Sequence, residues 1–347
     1  DLKRNYFGGG VSLEYMANDL HRIQLRISYS DQTDMRKRFR NIQGIAGDNT
    51  LDQEESFSNN SISILNEYRL GFGILRTGIR YDRQIIGIDS DLFSTNLNIL
   101  NPSIGITSNP IGKNIFYSSF STSFETPTLS ELSANPNGTL GFNPDLNASK
   151  ANNFELGWRL NSKIGKFQIS LFNINTKNEI LPYEIEDFSG RTFYRNAGKT
   201  KRKGLELEWS RVGKNIDWVL SYNYSEIKFD EFTLDGVNIA GNYLPGIPRH
   251  QFSEIVEYKI IKDLGLRFAN HYTGSLYADD ENETKIQGFF VSNVRIWKDL
   301  NNASFFAGVN NFWNRSYFDN IRINAWGKRY YEPAPKRNFY FGLNYNF

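Results

Sequence analysis

The last nine residues of the chain alternate between apolar and polar side chains. The apolar positions are Phe339, Phe341, Leu343, Tyr345 and Phe347. Alternate residues of a β-strand face opposite sides of its sheet, so this strand has one aromatic face and one face of amides and small residues. Such a strand is typical of an outer-membrane barrel, apolar towards lipid and polar towards its lumen. It fits the edge of a soluble sandwich equally well.

Composition narrows the possible classes of protein. Aromatic residues make up 15% of the 347 residues while the mean hydropathy is −0.52, which suits strands with alternating lipid and water faces. No run of about 18 apolar residues is present to form a membrane-spanning helix. The chain has no cysteine, which excludes disulfides and thiolate metal sites. The net charge of +2 gives no basic field that would indicate nucleic acid as a partner.

Period-two alternation recurs along the chain and indicates an all-β fold. Counting such runs predicts about fifteen strands. The polar faces of these runs carry charges that a dry core would not accept, whereas a water-filled or plugged lumen, or the solvated face of a sandwich, would. The charged residues are Arg22, Arg26, Glu67, Arg69, Arg76, Arg80, Glu155, Arg159, Glu206 and Glu208.

The links between the predicted strands mostly alternate between short and long. Short links with hairpin-turn residues lie at Ala17–Leu20, Asn109–Lys113, Asn161–Lys166, Val212–Asn215, Lys262–Gly265 and Lys298–Asn301. Long links lie at Arg36–Glu55, Glu125–Ser149, Glu184–Tyr194, Glu231–Tyr243, Tyr277–Thr284 and Asn314–Pro333, with Gly87–Phe93 the shortest of this set. Transmembrane barrels sort their links in this way, and Greek-key sandwiches do not require it. The sequence therefore predicts an antiparallel transmembrane β-barrel.

The predicted number of strands indicates on which side of the membrane each end of the chain lies. Bacterial single-chain barrels have even strand numbers. If Phe347 is periplasmic, counting back from it places Asp1 outside the cell. We therefore expect that the chain lacks the amino-terminal part of its barrel, and one miscounted hairpin is the alternative.

From about Asn101 onwards, a series of short motifs follows in order. The segment Asn101–Thr107 contains P-x-x-G, and Asn143–Gly157 follows N-P-x-L-x-x-E-K-x-x-x-x-E-x-G except at Ser149. Between them, Y-x-S-x-S-x-x-F-x-x-P-T-L-x-E-L is matched by Tyr117, Ser119, Ser121, Phe124, Pro127, Thr128, Leu129, Glu131 and Leu132.

Three further motifs complete the series. Leu244–His250 reads L-P-G-x-P-x-H. Gly308–Tyr317 approximates G-V-x-N-L-F-D-x-x-Y, and Pro333–Arg337 approximates P-x-P-G-R. The departures are Phe312, Trp313, Asn314 and Lys336. In this order, the motifs resemble those of the TonB-dependent outer-membrane receptors.

The resemblance implies a barrel of about 22 strands with a plugged lumen. Residues 1–347 would be a single barrel portion of it, without the plug. The implied function is uptake of a scarce ligand, a ferric siderophore or similar small-molecule metal chelate, and not catalysis. No cofactor is implied. A passive porin, or a surface adhesin or structural barrel, remains an alternative.

The resemblance also implies a location and partners. The protein would lie in the bacterial outer membrane, with its long loops extracellular and its carboxy terminus periplasmic. It would contact lipid and lipopolysaccharide, and reach the TonB complex through a plug that this chain does not contain. The apolar residues of the closing strand, Phe339 to Phe347, would signal to the barrel-assembly machinery.

Few residues suggest other chemistry. His21, His250 and His271 are far apart and fit no metal-ligand spacing. The acidic segment Asp279–Glu283 could supply oxygen ligands to Ca²⁺, but a solvated loop is favoured because the spacing of a calcium motif is incomplete. The basic run Lys199–Lys203 could contact lipopolysaccharide or an anionic ligand, and a charged strand is favoured.

The last long link is the best candidate for ligand binding. It contains Arg322, Trp326, Arg329, Tyr330 and Tyr331. Guanidinium groups bind carboxylates in bidentate fashion, and aromatic rings stack on planar ligands. These residues would suit a ferric complex of organic anions or catechols, although an aromatic girdle and loop packing would use the same residue types.

Overall fold

The structure is a computed structural model that describes residues 1–89, 93–137, 141–188, 190–328 and 331–346. Its long strands are β1 (Leu2–Asn18), β2 (His21–Ile42), β3 (Ile45–Leu70), β4 (Gly73–Ile88), β5 (Phe93–Ser108), β6 (Asn114–Glu125), β7 (Ser149–Ser162), β8 (Gly165–Lys177), β11 (Lys199–Val212), β12 (Ile216–Glu231), β15 (His250–Ile261), β16 (Leu264–Thr273), β19 (Phe289–Leu300), β20 (Ala303–Asn310) and β23 (Asn338–Tyr345). The short strands are β9 (Ile180–Tyr183), β10 (Phe193–Asn196), β13 (Thr233–Leu234), β14 (Val237–Asn238), β17 (Leu276–Tyr277), β18 (Lys285–Ile286), β21 (Phe318–Ile321) and β22 (Tyr331–Pro333).

In the described part of the chain, the fifteen long strands form one sheet in chain order. The pairs whose register is defined are antiparallel, and the predicted fold class and strand number are confirmed. The short strands form four two-stranded ribbons within the links. One short helix, α1 (Leu129–Leu132), and two 3₁₀ turns, Glu186–Phe188 and Trp326–Lys328, complete the elements. No helix among the described residues is long and apolar enough to cross a membrane.

One predicted long loop is a strand extension instead. The sequence predicts a long link at Arg36–Glu55, but β2 and β3 continue to a two-residue turn, Gln43–Gly44, with positive φ at both residues. Cross-strand pairs such as Lys37 with Asp52, whose charged atoms are 2.9 Å apart, continue the ladder. The prediction was wrong because most side chains of this stretch are polar and its large apolar residues, Phe39, Ile42, Ile45 and Leu51, do not recur with a period of two.

The chain divides into two compact units. Unit 1 comprises Asp1–Asn109, Ser118–Phe154 and Thr176–Ala197, and unit 2 comprises Pro110–Tyr117, Glu155–Asn175 and Gly198–Phe347.

In unit 1, the two faces of the sheet differ as predicted. Val11, Ile27 and Ile62 are register partners on one face, where Ile27 is 53% exposed. We call this the apolar face. The opposite, polar face carries ion pairs such as Arg76 with Glu67, at 2.9 Å. The apolar side chains are thus on an open surface rather than in a sealed interior, as a lipid-facing wall requires.

Unit 2 repeats the division of faces. Phe341, Ala307 and Ile296 are register partners on its apolar face, and Phe341 is 90% exposed. On the polar face, Arg267 pairs with Glu257 at 3.5 Å. The closing strand β23 therefore presents Phe339, Phe341, Leu343 and Tyr345 on the exposed apolar face. Phe347 lies outside the described residues.

Glycine 308 makes room for an aromatic ring on the polar face of unit 2. Tyr340 is its register partner on β23, and a Cβ on Gly308 would overlap the Tyr340 ring. We therefore expect Gly308→Ala to destabilise the fold by about 1–3 kcal/mol, the usual cost of overpacking. Urea unfolding of the detergent-solubilised protein measures this. The control is Gly9→Ala, whose new Cβ meets no atom within 4 Å, and equal stability of the two variants would contradict the explanation.

Candidate ligand-binding site

Three links of unit 2 hold one another in place. They are residues 232–249, 274–288 and 311–337. Tyr243 donates its backbone N–H to Oδ1 of Asn282 at 2.7 Å, and Nδ2 of Asn282 donates to the carbonyl of Tyr243 at 2.8 Å. Asp280 N–H donates to Oδ1 of Asn324 at 3.0 Å. These side-chain amides join the first link to the second and the second to the third.

The third of these links contains the predicted binding residues. Trp326, in a 3₁₀ turn, and Tyr331, at the start of β22, are each 44% exposed, and Arg322 is half-buried. The Tyr331 ring lies 4.8 Å from that of Phe318 on β21. Arg329 and Tyr330 lie outside the described residues.

A cavity of about 250 Å³ adjoins Tyr331. Its lining includes Lys285, Phe289, Arg315, Tyr317, Phe318 and Tyr331. The Phe289 and Tyr317 rings are 4.3 Å apart, and burial raises the pKa of the Tyr317 hydroxyl, so it stays protonated at neutral pH. The cavity thus combines cations with flat aromatic surfaces, the features expected for an anionic planar ligand.

Sequence reasoning missed two cations of this cavity, Lys285 and Arg315. Arg315 falls within the motif at Gly308–Tyr317, and its place in that motif is the sequence feature that could have identified it as a candidate. Lys285 comes from the neighbouring link, on β18. Only the pairing of links in space brings the two together with Tyr331.

The acidic segment of the second link is organised by its own backbone. Oδ1 of Asp279 accepts a hydrogen bond from Glu283 N–H at 2.8 Å, and Oδ2 accepts from Thr284 N–H at 3.0 Å. The Asp279 carboxylate therefore closes the turn. Among the described residues, no group of three or more His, Asp or Glu side chains is placed to hold a metal ion.

The histidines and the basic run have local partners. His21 stacks on Tyr68 with ring centroids 3.9 Å apart, and His250 and His271 are hydrogen-bonded to Tyr222 and Thr273 respectively. In the basic run, three lysines form cross-strand ion pairs, which are Lys199–Glu231 at 2.5 Å, Lys201–Asp230 at 2.6 Å and Lys203–Glu226 at 3.1 Å. The run is a charged strand segment of β11.

In unit 1, the described residues 126–137 and 141–148 of one long link pack against the extended strands. Thr128 and Glu131 form a capping box at the start of α1. Leu129 and Leu132 then pack in a small buried core with Ile86, Ile88, Phe142 and Leu146. Beside it, the fully buried Glu55 carboxylate accepts hydrogen bonds from Arg36, Gln53 and Ser133. This carboxylate ties the link to β2 and β3.

A second amide pair holds the same link to the ribbon of β9 and β10. Asn147 N–H donates to Oδ1 of Asn196 at 2.7 Å, and Nδ2 of Asn196 donates to the carbonyl of Asn147 at 2.9 Å. Both compact units thus use asparagine side chains to join separate links. In each unit, these side-chain amides join the described parts of the links to one another.

The fold and these links define a class of protein. An antiparallel sheet of long strands with one exposed apolar face and one charged face, joined by short turns and long ordered links, is part of a transmembrane β-barrel of the bacterial outer-membrane type. The family model for TonB dependent receptor-like β-barrels matches residues 2–312. The chain belongs to this family, whose members are outer-membrane transport receptors and not enzymes.

Individual relatives agree with the family match. An uncharacterised TonB-dependent receptor of Haemophilus influenzae is 29% identical over 157 residues, which are 43% of this chain and 44% of that protein. PiuA of Acinetobacter baumannii, a probable TonB-dependent siderophore receptor, is 20% identical over 317 residues, 86% of this chain and 41% of that protein. The chain thus spans less than half the length of these two curated relatives.

Solved structures show the same fold. The copper transporter OprC is similar with a TM-score of 0.81 at 15% identity, over 100% of this chain and 57% of that chain. At this identity, the likeness concerns the fold alone.

Proposed function

We propose that this chain is the barrel portion of a receptor that takes up a small-molecule metal chelate with energy from the TonB complex. The observation that carries the proposal is the family match over residues 2–312. The relative PiuA, described as a probable siderophore receptor, supports a ferric siderophore or a similar iron complex as the ligand. A plug that lies outside this chain would contact TonB.

The ligand would first contact the three joined links of unit 2, residues 232–249, 274–288 and 311–337. We assign initial binding to the predicted residues Arg322, Trp326 and Tyr331, with Arg329 and Tyr330 of the same link. The cavity of about 250 Å³ beside Tyr331 supports this assignment, because it contributes the cations Lys285 and Arg315. Guanidinium and aromatic groups together suit chelates that carry carboxylates or catecholates.

The proposal includes an orientation in the membrane and a set of partners. The long links would be extracellular and the end of β23 periplasmic, within a single barrel domain. The exposed apolar face would contact lipid and lipopolysaccharide, and the aromatic residues of β23 would be read by the barrel-assembly machinery.

Uptake of radiolabelled iron by intact cells tests the proposal. We expect deletion of the gene to abolish saturable uptake of at least one of three probes: ferric citrate, a ferric catecholate or a ferric hydroxamate. Deletion of tonB should abolish the same uptake, and the wild-type gene should restore it in the first strain. Uptake that depends on the gene but not on tonB would indicate a passive porin. If deletion of the gene changes the uptake of none of the three probes, the protein would instead be an adhesin or a structural barrel.

A further inference from the structure

A row of polar side chains interrupts the apolar face of unit 2. Glu254 on β15 and Asn270 on β16 are register partners. Alternate residues of a strand share a face, so both lie on the face of Tyr258 and Leu266, which are register partners and lead to Ile296 on β19. The side chains of Glu254 and Asn270 therefore lie on the side of the sheet that faces lipid.

Exposed aromatic and aliphatic side chains surround this row on the same face. Tyr272 and Phe290 lie between the row and the long links, and Phe268 and Ile296 lie between the row and the short turns. Hydrocarbon solvates a carboxylate poorly, and ionisable side chains inside a membrane usually serve a function. Contact with lipid alone therefore does not account for the row.

Neutral donors hold the Glu254 carboxylate on both sides. Its Oε1 accepts a hydrogen bond from Nε1 of Trp218 on β12 at 3.0 Å, and its Oε2 accepts one from Nδ2 of Asn270 at 2.9 Å. All three side chains are half-buried. A carboxylate has about four acceptor positions and an amide nitrogen has two donors. Glu254 and Asn270 thus both keep hydrogen-bonding capacity that no other described residue uses.

The row ends at Ser292 on β19, the register partner of Asn270. Ser292 is buried, and its Oγ accepts a hydrogen bond from Nε1 of Trp313 at 2.9 Å. The Trp313 indole therefore covers this end of the row. The unused capacity is concentrated in the middle, at Glu254 and Asn270.

No cation in the described part of the chain neutralises the Glu254 carboxylate. On the apolar face, His250 is hydrogen-bonded to Tyr222, and Arg211 lies two strands away as the register partner of Trp218. The ion pairs formed by residues of β15 lie on the opposite face of the sheet, and they are Lys259–Asp217 and Arg267–Glu257. The carboxylate is therefore held by neutral donors alone.

We propose that this row is the centre of an interface between two copies of the protein in the outer membrane. Glu254 has spare acceptor positions and Asn270, directly beside it, has a spare donor, so the pair is complementary to itself. A two-fold interface brings the same patch of both copies together, so that residue i contacts residue j and j contacts i. The Asn270 amide of each copy would donate to the Glu254 carboxylate of the other, which keeps the two carboxylates from facing each other.

A second copy meets the requirements of a contact inside the membrane. A two-fold axis along the membrane normal leaves every residue at its own depth, so the rows of two copies meet at one level. Association in lipid is driven by close packing and by hydrogen bonds between polar side chains. Each carboxylate would then have three neutral donors instead of two, and the exposed rings of Phe268, Tyr272 and Phe290 would pack around the bonds.

Energy transfer between labelled copies tests the interface. The protein, expressed from its native gene, carries a donor or an acceptor dye at Lys163→Cys, in an exposed turn of a chain that has no cysteine. Both batches are reconstituted together in phosphatidylcholine vesicles at a series of protein-to-lipid ratios. We expect saturable transfer in the wild type. Asn270→Leu and Glu254→Leu should each raise the dimer dissociation constant at least about tenfold, or about 1.4 kcal/mol for two lost bonds.

The chain offers a matched control on the apolar face of unit 1. Asn66 lies there between its register partners Ile23 and Thr77, and Asn66→Leu should leave the dissociation constant unchanged. Glu254→Gln keeps one acceptor oxygen and should weaken the dimer less than Glu254→Leu. Heat-modifiable mobility on gels shows that each variant is folded.

Three results would overturn the interface. The first is a wild type that shows no saturable transfer at any ratio, even if a lipid amine or another membrane protein is found at Glu254. The second is an unchanged dissociation constant in both Glu254→Leu and Asn270→Leu. The third is an equal loss in Asn66→Leu.

The interface goes beyond the proposed function, since it lies on the outer wall and not in the candidate ligand-binding site. Asn270→Leu should therefore take up the iron probe as the wild type does. If the dimer forms through Glu254 and Asn270 but no iron probe is taken up, the receptor function fails and the interface stands. If uptake depends on tonB and the wild type is a monomer, the interface fails and the receptor function stands.

Discussion

Replacing Ile64 with arginine is expected to destabilise the folded barrel by up to about 2–4 kcal/mol, the cost of a cation on the lipid face at the bilayer midplane. Ile64 lies on the exposed apolar face of unit 1 between its register partners Leu25 and Ile79. On the lipid face, this guanidinium would have to move from water into hydrocarbon. Its register partners Leu25 and Ile79 offer no carboxylate to pair with the charge. Equilibrium unfolding in urea, with the protein folded into phosphatidylcholine vesicles, measures the loss.

The neighbouring residue supplies the control. Ser63 belongs to the opposite face, where its partners are Arg26 and Arg80. Ser63→Gln changes size and keeps polarity, so it should alter stability by much less than Ile64→Arg. An Ile64→Arg protein that is as stable as Ser63→Gln would show that the apolar face does not contact lipid.

The second large effect is expected at Glu55. Its carboxylate is fully buried and Arg36 is 16% exposed. Glu55→Ala would leave the Arg36 guanidinium without its anion and would remove the acceptor of Gln53 and Ser133. Breaking one partner of a buried pair costs about 3–5 kcal/mol, so we expect the link carrying α1 to detach from β2 and β3.

Limited proteolysis of the folded protein measures this detachment. New cleavage within residues 126–148 should appear in Glu55→Ala while the rest of the chain stays intact. Glu55→Gln retains the shape and one acceptor, and should be cleaved more slowly than Glu55→Ala. Removing a solvent-exposed pair by Lys37→Ala should change little, as exposed pairs contribute at most about 1 kcal/mol. Equal protection of Glu55→Ala and the wild type would contradict the role given to this carboxylate.

The sequence predicted the sheet well where the two faces differ. Around Ile27 and Ile64 only one face is polar, so the period of two is visible in the residues themselves. Between Arg36 and Glu55 the few apolar residues do not alternate, and cross-strand pairs such as Lys37 with Asp52 contribute to the pairing of the strands there. Such pairs join residues distant in sequence and leave no local signal.

The same limit applies to the candidate sites. Tyr331 and Trp326 were found because cations and aromatic residues are dense in one link. Arg315 and Lys285 join them only through packing between links.

The asparagine bridges of unit 2 have a consequence for motion. Asn282 is joined to Tyr243 through both groups of its side-chain amide, and Asn324 is joined to Asp280. No one of the three links can swing away without breaking a bond to another, so they should open as one cooperative unit. In native-state hydrogen exchange, the amide of Tyr243 and that of Asp280 should exchange with a common opening free energy, and Asn282→Ala should accelerate both together.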